Sequence, residues 1–508
     1  MQPIDHFFRA ARAAPSSVAA RCGVESLAYG ALAHRVRALA AGLQAIDPEP
    51  GSRVGICCRN SLEHLAAFLA TLAAGKTWVP LFHRNTADEI ARAVAFTGAS
   101  VVIAEEETRA KVAGAGARIV LADAASLAAD STGGMAAAFH GRGPARVVRD
   151  LADTQAIKFT GGTTGTPKGV MQPLRAWNTA IATQILTWRL GPEDAFLAGA
   201  PITHGTSTYL LPFLAVGARI EIVDQPRPED TLEALGSGRI TATFVPPTVI
   251  YMMMERAGGA DGLDFSRLRH LIYGAGPMRP DAIGRAQALF GPVIASTYGQ
   301  TEAPQIATAI TGPELAREDR RATVGRPTLL TQVEVLSDDG EILPPGETGE
   351  VAIRGDLVMT GFWREPERTA EAFRNGWLMT GDLGAFDEDG YLTLRGRRRD
   401  VVITGGFNVY PSEVEPVIGA HAAVADCAVF GVPDEKWGEA VEAAVVLAPG
   451  ASVEAEELVR LARERLGPVK APKSIHFLKE LPRNAYGKLQ KGALTEMAAK
   501  VRNDTRAA

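Results

Sequence analysis

Cysteine is scarce in this 508-residue chain. The four present, Cys22, Cys57, Cys58 and Cys427, have no metal-ligand spacing, so the expectation is reduced, cytosolic thiols. Long runs of one charge are also missing. With a net charge of −5 and no extended basic stretch, the chain has no electrostatic footprint for nucleic acid. No apolar run is long enough to span a bilayer, which argues against stable membrane insertion. Met1 to Arg12 mixes Asp5, Arg9 and Arg12 with Phe7 and Phe8, and lacks the apolar region of a signal peptide. No repeat of solenoid length is present. These absences leave a soluble, cytoplasmic protein, long enough to need two or more domains.

What is present alternates strand and helix. Arg53 to Cys58 reads as a buried strand, Asn60 or Ser61 caps a helix through Ala74, and Gly75 stops it. Thr77 to Leu81 is apolar again, Thr86 to Glu89 is a capping box, and Ser100 to Ala104 returns to strand. The pattern predicts an α/β fold with largely parallel sheets. Ser131 to Pro144, rich in Gly and Ala, is expected to loop over the surface. Ala242 to Met254 reads as a strand, a Pro246-Pro247 turn and a helix. After Gly390 the texture changes, with four arginines in Leu394 to Asp400, and the remainder suits a small α+β domain. The expected division is a large N-terminal domain of stacked α/β sheets over 1–396, a hinge at 397–400 and a mobile C-terminal domain over 401–508.

The densest chemistry lies in Phe159 to Gly169. Gly161, Gly162 and Gly165 let the backbone turn tightly and aim N–H groups at one anion. Thr160, Thr163 and Thr164 add hydroxyls, and Lys168 adds a cation. The loop is not a Walker A motif, because Gly169 stands where that motif needs Ser or Thr after its lysine. Leu271 to Pro277 is an apolar strand opening into Gly274-Ala275-Gly276-Pro277, and Ser296 to Glu302 follows with Tyr298-Gly299 and Thr301-Glu302. Gly376 to Asp382, the arginine run from Arg397, Gly405-Gly406 and Pro482-Arg483-Asn484-Ala485-Tyr486-Gly487-Lys488 complete the series.

In this order and spacing the motifs resemble those of the adenylate-forming superfamily, on its acyl-CoA synthetase branch, from about Tyr29 to Lys491. Two departures stand out: Gly161 replaces the usual serine of the phosphate loop, and Arg399 replaces the usual Asp or Lys of the hinge. The resemblance implies that Thr160 to Gly165 and Lys168 hold ATP phosphates. Gly274 to Pro277 would line the adenine, Tyr298 would stack on it beside Gly299, and Asp382 and Arg397 would hold the ribose. Thr301 would donate to the α-phosphate, Glu302 with Thr164 would serve Mg²⁺, and Lys488 would be the catalytic lysine. It further implies that Arg399 is the hinge, Gly405-Gly406 line the passage for CoA, and His204 stands at the mouth of the acid pocket. That pocket is expected to include Thr248, Tyr251, Tyr273, Gly299, Pro304 and Gln305, with Gly299 leaving room beyond two carbons.

ATP, Mg²⁺, CoA and a carboxylic acid are thus the expected partners, with no nucleic acid, and a homodimer is compatible with the reading. The expected reaction makes an acyl-adenylate and then an acyl-CoA, releasing AMP. None of the pocket residues carries a charge, so an apolar monocarboxylate is expected, a medium- or long-chain fatty acid before an aromatic one. The alternative acceptor is a separate carrier protein.

Overall fold

The computed structural model describes residues 1–160, 168–224, 226–257, 262–434, 436–483 and 489–507, with 502–507 as backbone only. Two compact units emerge: Met1–Val333 with Ile353–Leu378, and Glu334–Ala352 with Met379–Ala508.

In the first unit the described strands form two sheets. One has seven strands, in the order Gly361–Phe362, Lys168–Pro173, Thr154–Thr160, Thr77–Pro80, Arg53–Cys57, Val101–Ala104 and Arg118–Leu121. Its last five are parallel and almost continuously apolar, as strands buried on both faces must be. Helix Leu62–Ala73 follows its strand because the Ser61 hydroxyl accepts from the His64 N–H, and Gly75 ends the turn at φ 69°. The Thr86–Glu89 capping box forms as expected and opens helix Ala87–Thr97.

The other sheet has nine strands, and its parallel centre runs Ile294–Tyr298, His270–Tyr273, Ala242–Val245, Ala195–Ala198, Arg219–Ile222 and Val18–Cys22. One apolar cluster takes Ile56 and Trp78 from the first sheet and Phe196, Ile220 and Phe244 from the second. Leu65, Phe68, Trp177 and Tyr209 of the helices complete it. The two sheets therefore share one core.

The stretch 131–144 is not a plain loop. Thr132–Ala138 is a helix, capped by the Ser131 hydroxyl, which accepts from the Gly134 N–H. Its glycines serve close packing: a Cβ on Gly134 would lie 1.8 Å from the Ala128 carbonyl oxygen. Met135 in turn packs against Gly42. Tertiary contact overrides the low helix propensity of the glycines.

In the second unit, Gly438–Leu447 pairs with Val424–Asp434, Val402–Thr404 and Ser474–Leu478. Helices Pro411–Gly419 and Ala455–Lys470 bury Val414, Ile418, Leu458 and Ala462 with Val429, Val441 and Val445. Trp377–Phe386 and Leu392–Arg397 form an antiparallel pair, and a single 3₁₀ turn, Arg398–Asp400, leads on to Val402. The Ser412 hydroxyl donates to the Arg395 carbonyl across this turn.

Two predictions follow from the first unit. Gly134→Ala should lower its melting temperature by several degrees, since overpacking a filled site costs about 1–3 kcal/mol; an unchanged melt would contradict the packing. Burial pushes the His64 and His270 imidazoles down to about 4. In the unfolded chain the same rings take up a proton near 6.5, so stability is kept above that pH and lost as pH falls towards 4. The urea midpoint should drop between pH 7 and 4.5, and drop less in His64→Gln.

Candidate active site

Thr160 and Lys168 face each other at the end of an antiparallel ladder. Gly161, Gly162, Thr163, Thr164 and Gly165 lie outside the described residues. The Lys168 ammonium stands 5.4 Å from the centroid of the Phe362 ring.

Two loops sit at the carboxyl ends of neighbouring parallel strands. Strand His270–Tyr273 opens into Gly274 to Pro277, and strand Ile294–Tyr298 opens into Gly299 to Glu302. Ala275 has φ 64°, a left-handed conformation that costs a non-glycine residue about 1–2 kcal/mol. The second loop is tied down through its backbone: Gln172 Nε2 donates to the Thr301 carbonyl at 2.8 Å, and the Met359 N–H donates to the Glu302 carbonyl at 2.8 Å. These bonds leave the side chains of Thr301 and Glu302 outside the backbone anchoring.

Gly299 has a role that sequence reasoning did not anticipate. A Cβ there would come within 2.8–2.9 Å of backbone atoms of Ala303 and Gln305. The glycine is needed for this close approach. Gln305 follows at φ 72°. Its Nε2 donates to the Tyr209 hydroxyl (3.1 Å) and the Thr297 hydroxyl (3.3 Å), while its Oε1 accepts from Thr208 Oγ1 (3.3 Å). Phe244 closes the other side: a Cβ on Gly205 would lie 2.7 Å from this ring, and one on Gly274 would lie 3.2 Å from it. Phe244 stacks on Tyr209, which stacks on Phe196. Phe244 and the Gln305 amide thus pack against Gly205, Phe244 packs against Gly274, and the Gln305 backbone packs against Gly299.

Of the other expected pocket residues, Tyr273 is buried, and desolvation pushes its phenol up to about 12. Pro304 leads directly into Gln305. Thr248 and Tyr251 lie on helix Pro247–Arg256, where the Tyr251 hydroxyl accepts from the Arg279 N–H at 3.2 Å.

His204 occupies a distorted turn, Ile202–Thr206, with φ −104° and ψ −143° interrupting the helical backbone. Its Nδ1 lies 2.9 Å from the Thr203 hydroxyl, and its ring meets Phe82 edge to face at 4.7 Å. Burial, then the nearby Lys158 and His83, push the imidazole down to about 4, so it is neutral at pH 7. The turn is gripped from the other sheet. Asn60 accepts from the Ile202 N–H at 2.9 Å and donates to the Ala200 carbonyl at 3.0 Å. Lys158 donates to the Ser207 hydroxyl (2.8 Å) and the His204 carbonyl (3.3 Å).

In the second unit, Asp382 and Arg397 stand opposite each other in register, with Arg397 Nε 2.7 Å from Asp382 Oδ1. Asp382 is nearly buried, and its backbone N–H donates to the Thr380 hydroxyl at 3.0 Å. Arg398 is fixed by Glu350 and Asp338, whereas Arg399 is half exposed beside Asp400 at 3.6 Å. Gly405 and Gly406, at φ 57° and 82°, make the tight turn between strands Val402–Thr404 and Phe407–Val409. Lys488 lies outside the described residues.

Asn60, Lys158, Ser207, Tyr209 and Phe244 escaped sequence reasoning. Lys158 had a usable signal, a lone charge inside the apolar strand Ala156-Ile157-Lys158-Phe159. The others resemble ordinary core or cap residues until the sheets are assembled.

Comparison with known proteins agrees with this geometry. Residues 7–363 match the AMP-binding enzyme family, and residues 413–488 match the AMP-binding enzyme C-terminal domain. The chain is 34% identical to a feruloyl-CoA synthase of Amycolatopsis sp over 95% of its own length and 96% of the relative's. It is 37% identical to a medium/long-chain-fatty-acid–CoA ligase of Mycobacterium tuberculosis, over 68% of this chain and 62% of that one. Among solved structures, the amide bond synthetase McbA of Marinactinospora thermotolerans superposes with a TM-score of 0.88 at 31% identity, covering 98% of this chain and 100% of the other. From its motifs, its paired loops and these likenesses, the chain belongs to the AMP-binding enzyme family, the adenylate-forming superfamily, on its acyl-CoA synthetase branch.

Proposed function

We propose that this protein is an ATP-dependent, AMP-forming acid–CoA ligase whose acid is compact and aromatic. The observation that carries the nucleotide half is the pair of loops, Gly274–Pro277 and Gly299–Glu302, at the carboxyl ends of adjacent parallel strands. In open parallel sheets this edge is where nucleotides bind. Tyr298 stacks on the adenine, Lys168 and the hydroxyls of 160–164 take the phosphates, and Asp382 with Arg397 takes the ribose. An acid carboxylate oxygen attacks the α-phosphorus, and pyrophosphate leaves. A thiol then attacks the acyl carbonyl, and AMP leaves. Lys488 supports the first half by neutralising charge on the carboxylate and α-phosphate. Arg399 serves as the hinge, and Gly405-Gly406 as the approach for the thiol.

Mg²⁺ fits this donor set. Among the described residues no group of three or more His, Cys, Asp or Glu side chains could cage a metal ion. A lone carboxylate at Glu302 suits an ion that takes its remaining ligands from phosphates and water. When bound, the ion would neutralise phosphate charge.

The substrate reading rests on the similarity to a feruloyl-CoA synthase and on Phe244 and Gln305, which pack against Gly205 beside the expected pocket. A neutral His204 at the pocket mouth suits an acid with a planar apolar body. A fatty acid is the second reading, favoured by the 37% identity to a fatty-acid–CoA ligase. A carrier protein or an amine could replace CoA as acceptor, the latter because of the likeness to an amide bond synthetase.

The test is pyrophosphate release from MgATP across benzoic, cinnamic-type, short, medium and long fatty acids, with and without CoA. Turnover led by a cinnamic- or benzoic-type acid and dependent on CoA is expected. Adenylation with no CoA-dependent turnover would overturn the ligase reading and favour another acceptor. Lys488→Ala should lower adenylation by a factor of about 10² or more while sparing thioester formation from supplied acyl-adenylate; equal loss of both halves would remove its assigned role. Gln305→Gly keeps the left-handed backbone comfortable and removes the amide. It should raise kcat/KM for long acids relative to aromatic ones about tenfold, roughly the value of 1–2 kcal/mol of relieved exclusion; an unchanged ratio would mean that Gln305 does not limit the pocket.

A further inference from the structure

Lys158 is buried, with 8% of its surface exposed, on a strand that also buries Gln155, Ala156 and Ile157. Its ammonium lies 5.1 Å from the Trp78 ring centroid and 5.7 Å from that of Trp177. No carboxylate forms a salt bridge with it among the described residues, and burial alone pushes its amine down to about 7. A methionine would fill this volume without the cost of desolvating an amine. Both hydrogen-bond acceptors of the amine, the His204 carbonyl and the Ser207 hydroxyl, belong to one turn. Ser207 also donates to the His204 carbonyl at 2.8 Å, so the three groups form a closed triangle.

That triangle takes the His204 carbonyl at the point where the backbone leaves helical geometry. It also joins the turn to the strand that ends at Thr160, at the edge of the expected phosphate loop. Asn60 holds the front of the same turn, at Ala200 and Ile202. Its back half is bonded locally by Ser207 and by Thr208, whose hydroxyl donates to the Gly205 carbonyl at 2.6 Å, and Lys158 ties that half to the other sheet, beside the contact of the His204 ring with Phe82.

We propose that Lys158 is a positioning residue for acid recognition: through the His204 carbonyl and Ser207 it fixes the 202–206 turn and hence the imidazole at the mouth of the acid pocket. The pocket assignment comes from the ligase reading, and the structural half of the test is independent of it.

Hydrogen exchange of the full chain, read on peptides covering 201–208, tests the clamp directly, beside acid-dependent pyrophosphate release. Lys158→Met should speed exchange in 202–206 about tenfold and raise the acid KM by a similar factor at constant MgATP KM. This is the loss expected for a hydrogen bond from a charged donor. Lys158→Gln still donates to the carbonyl and hydroxyl, and should restore most of both. Wild-type exchange over 202–206 in Lys158→Met, or no rescue by Gln, would overturn the proposal. Should Lys158→Met not fold, Ser207→Ala tests the same triangle: faster exchange confined to 202–206 supports it, and wild-type exchange refutes it. If the unaltered protein activates no acid, the ligase reading fails, while exchange still decides the role of Lys158.

Discussion

The structure depends on how the turn Ile202–Thr206 satisfies its backbone. The chain leaves helical geometry at His204, so its backbone groups need partners beyond the local ones that Pro201, Ser207 and Thr208 supply. Buried without partners they would each cost about 1–3 kcal/mol. The partners come from the other sheet, Asn60 from the loop after one strand and Lys158 from the middle of another. Because these side chains reach across the shared core, the two sheets cannot slide without breaking them. The aromatic packing of Phe68, Trp78 and Trp177 around Lys158 makes the same interface apolar.

A second constraint governs the loops. Ala275 and Gln305 occupy left-handed backbone, and Gly299 allows the backbone to approach within van der Waals limits. Strain of this kind persists only where surrounding contacts over-determine it. For Gln305 those contacts are visible as bonds to Tyr209, Thr297 and Thr208. The 300–302 loop is meanwhile held by its carbonyls, through Gln172 and Met359.

In the second unit the ion pair of Asp382 and Arg397 is set by strand register, since two residues opposite each other on an antiparallel pair share a face. The following 3₁₀ turn is short; Arg398 is bonded to Glu350 and Asp338, and Arg399, about half exposed, lies beside Asp400.

The sequence by itself determined what depends on local chemistry. Ser61 and the Thr86–Glu89 pair mark helix starts because their side chains bond to N–H groups within a turn. Apolar runs such as Val101 to Ala104 mark parallel strands because both faces are buried. The ordered motifs around Lys168, Tyr298, Asp382 and Lys488 mark the family because phosphate, base and ribose demand those residue types. Tertiary structure alone decided the rest. Gly133 and Gly134 sit inside helix Thr132–Ala138 where neighbouring carbonyls leave no room for a Cβ, and Gly299 lets the backbone of Ala303 and Gln305 approach closely. Lys158 looks like a misplaced charge in a strand until the second sheet brings it the His204 carbonyl. The Lys158 contacts join residues 46 and 49 positions apart, and periodicity and propensity carry no record of them.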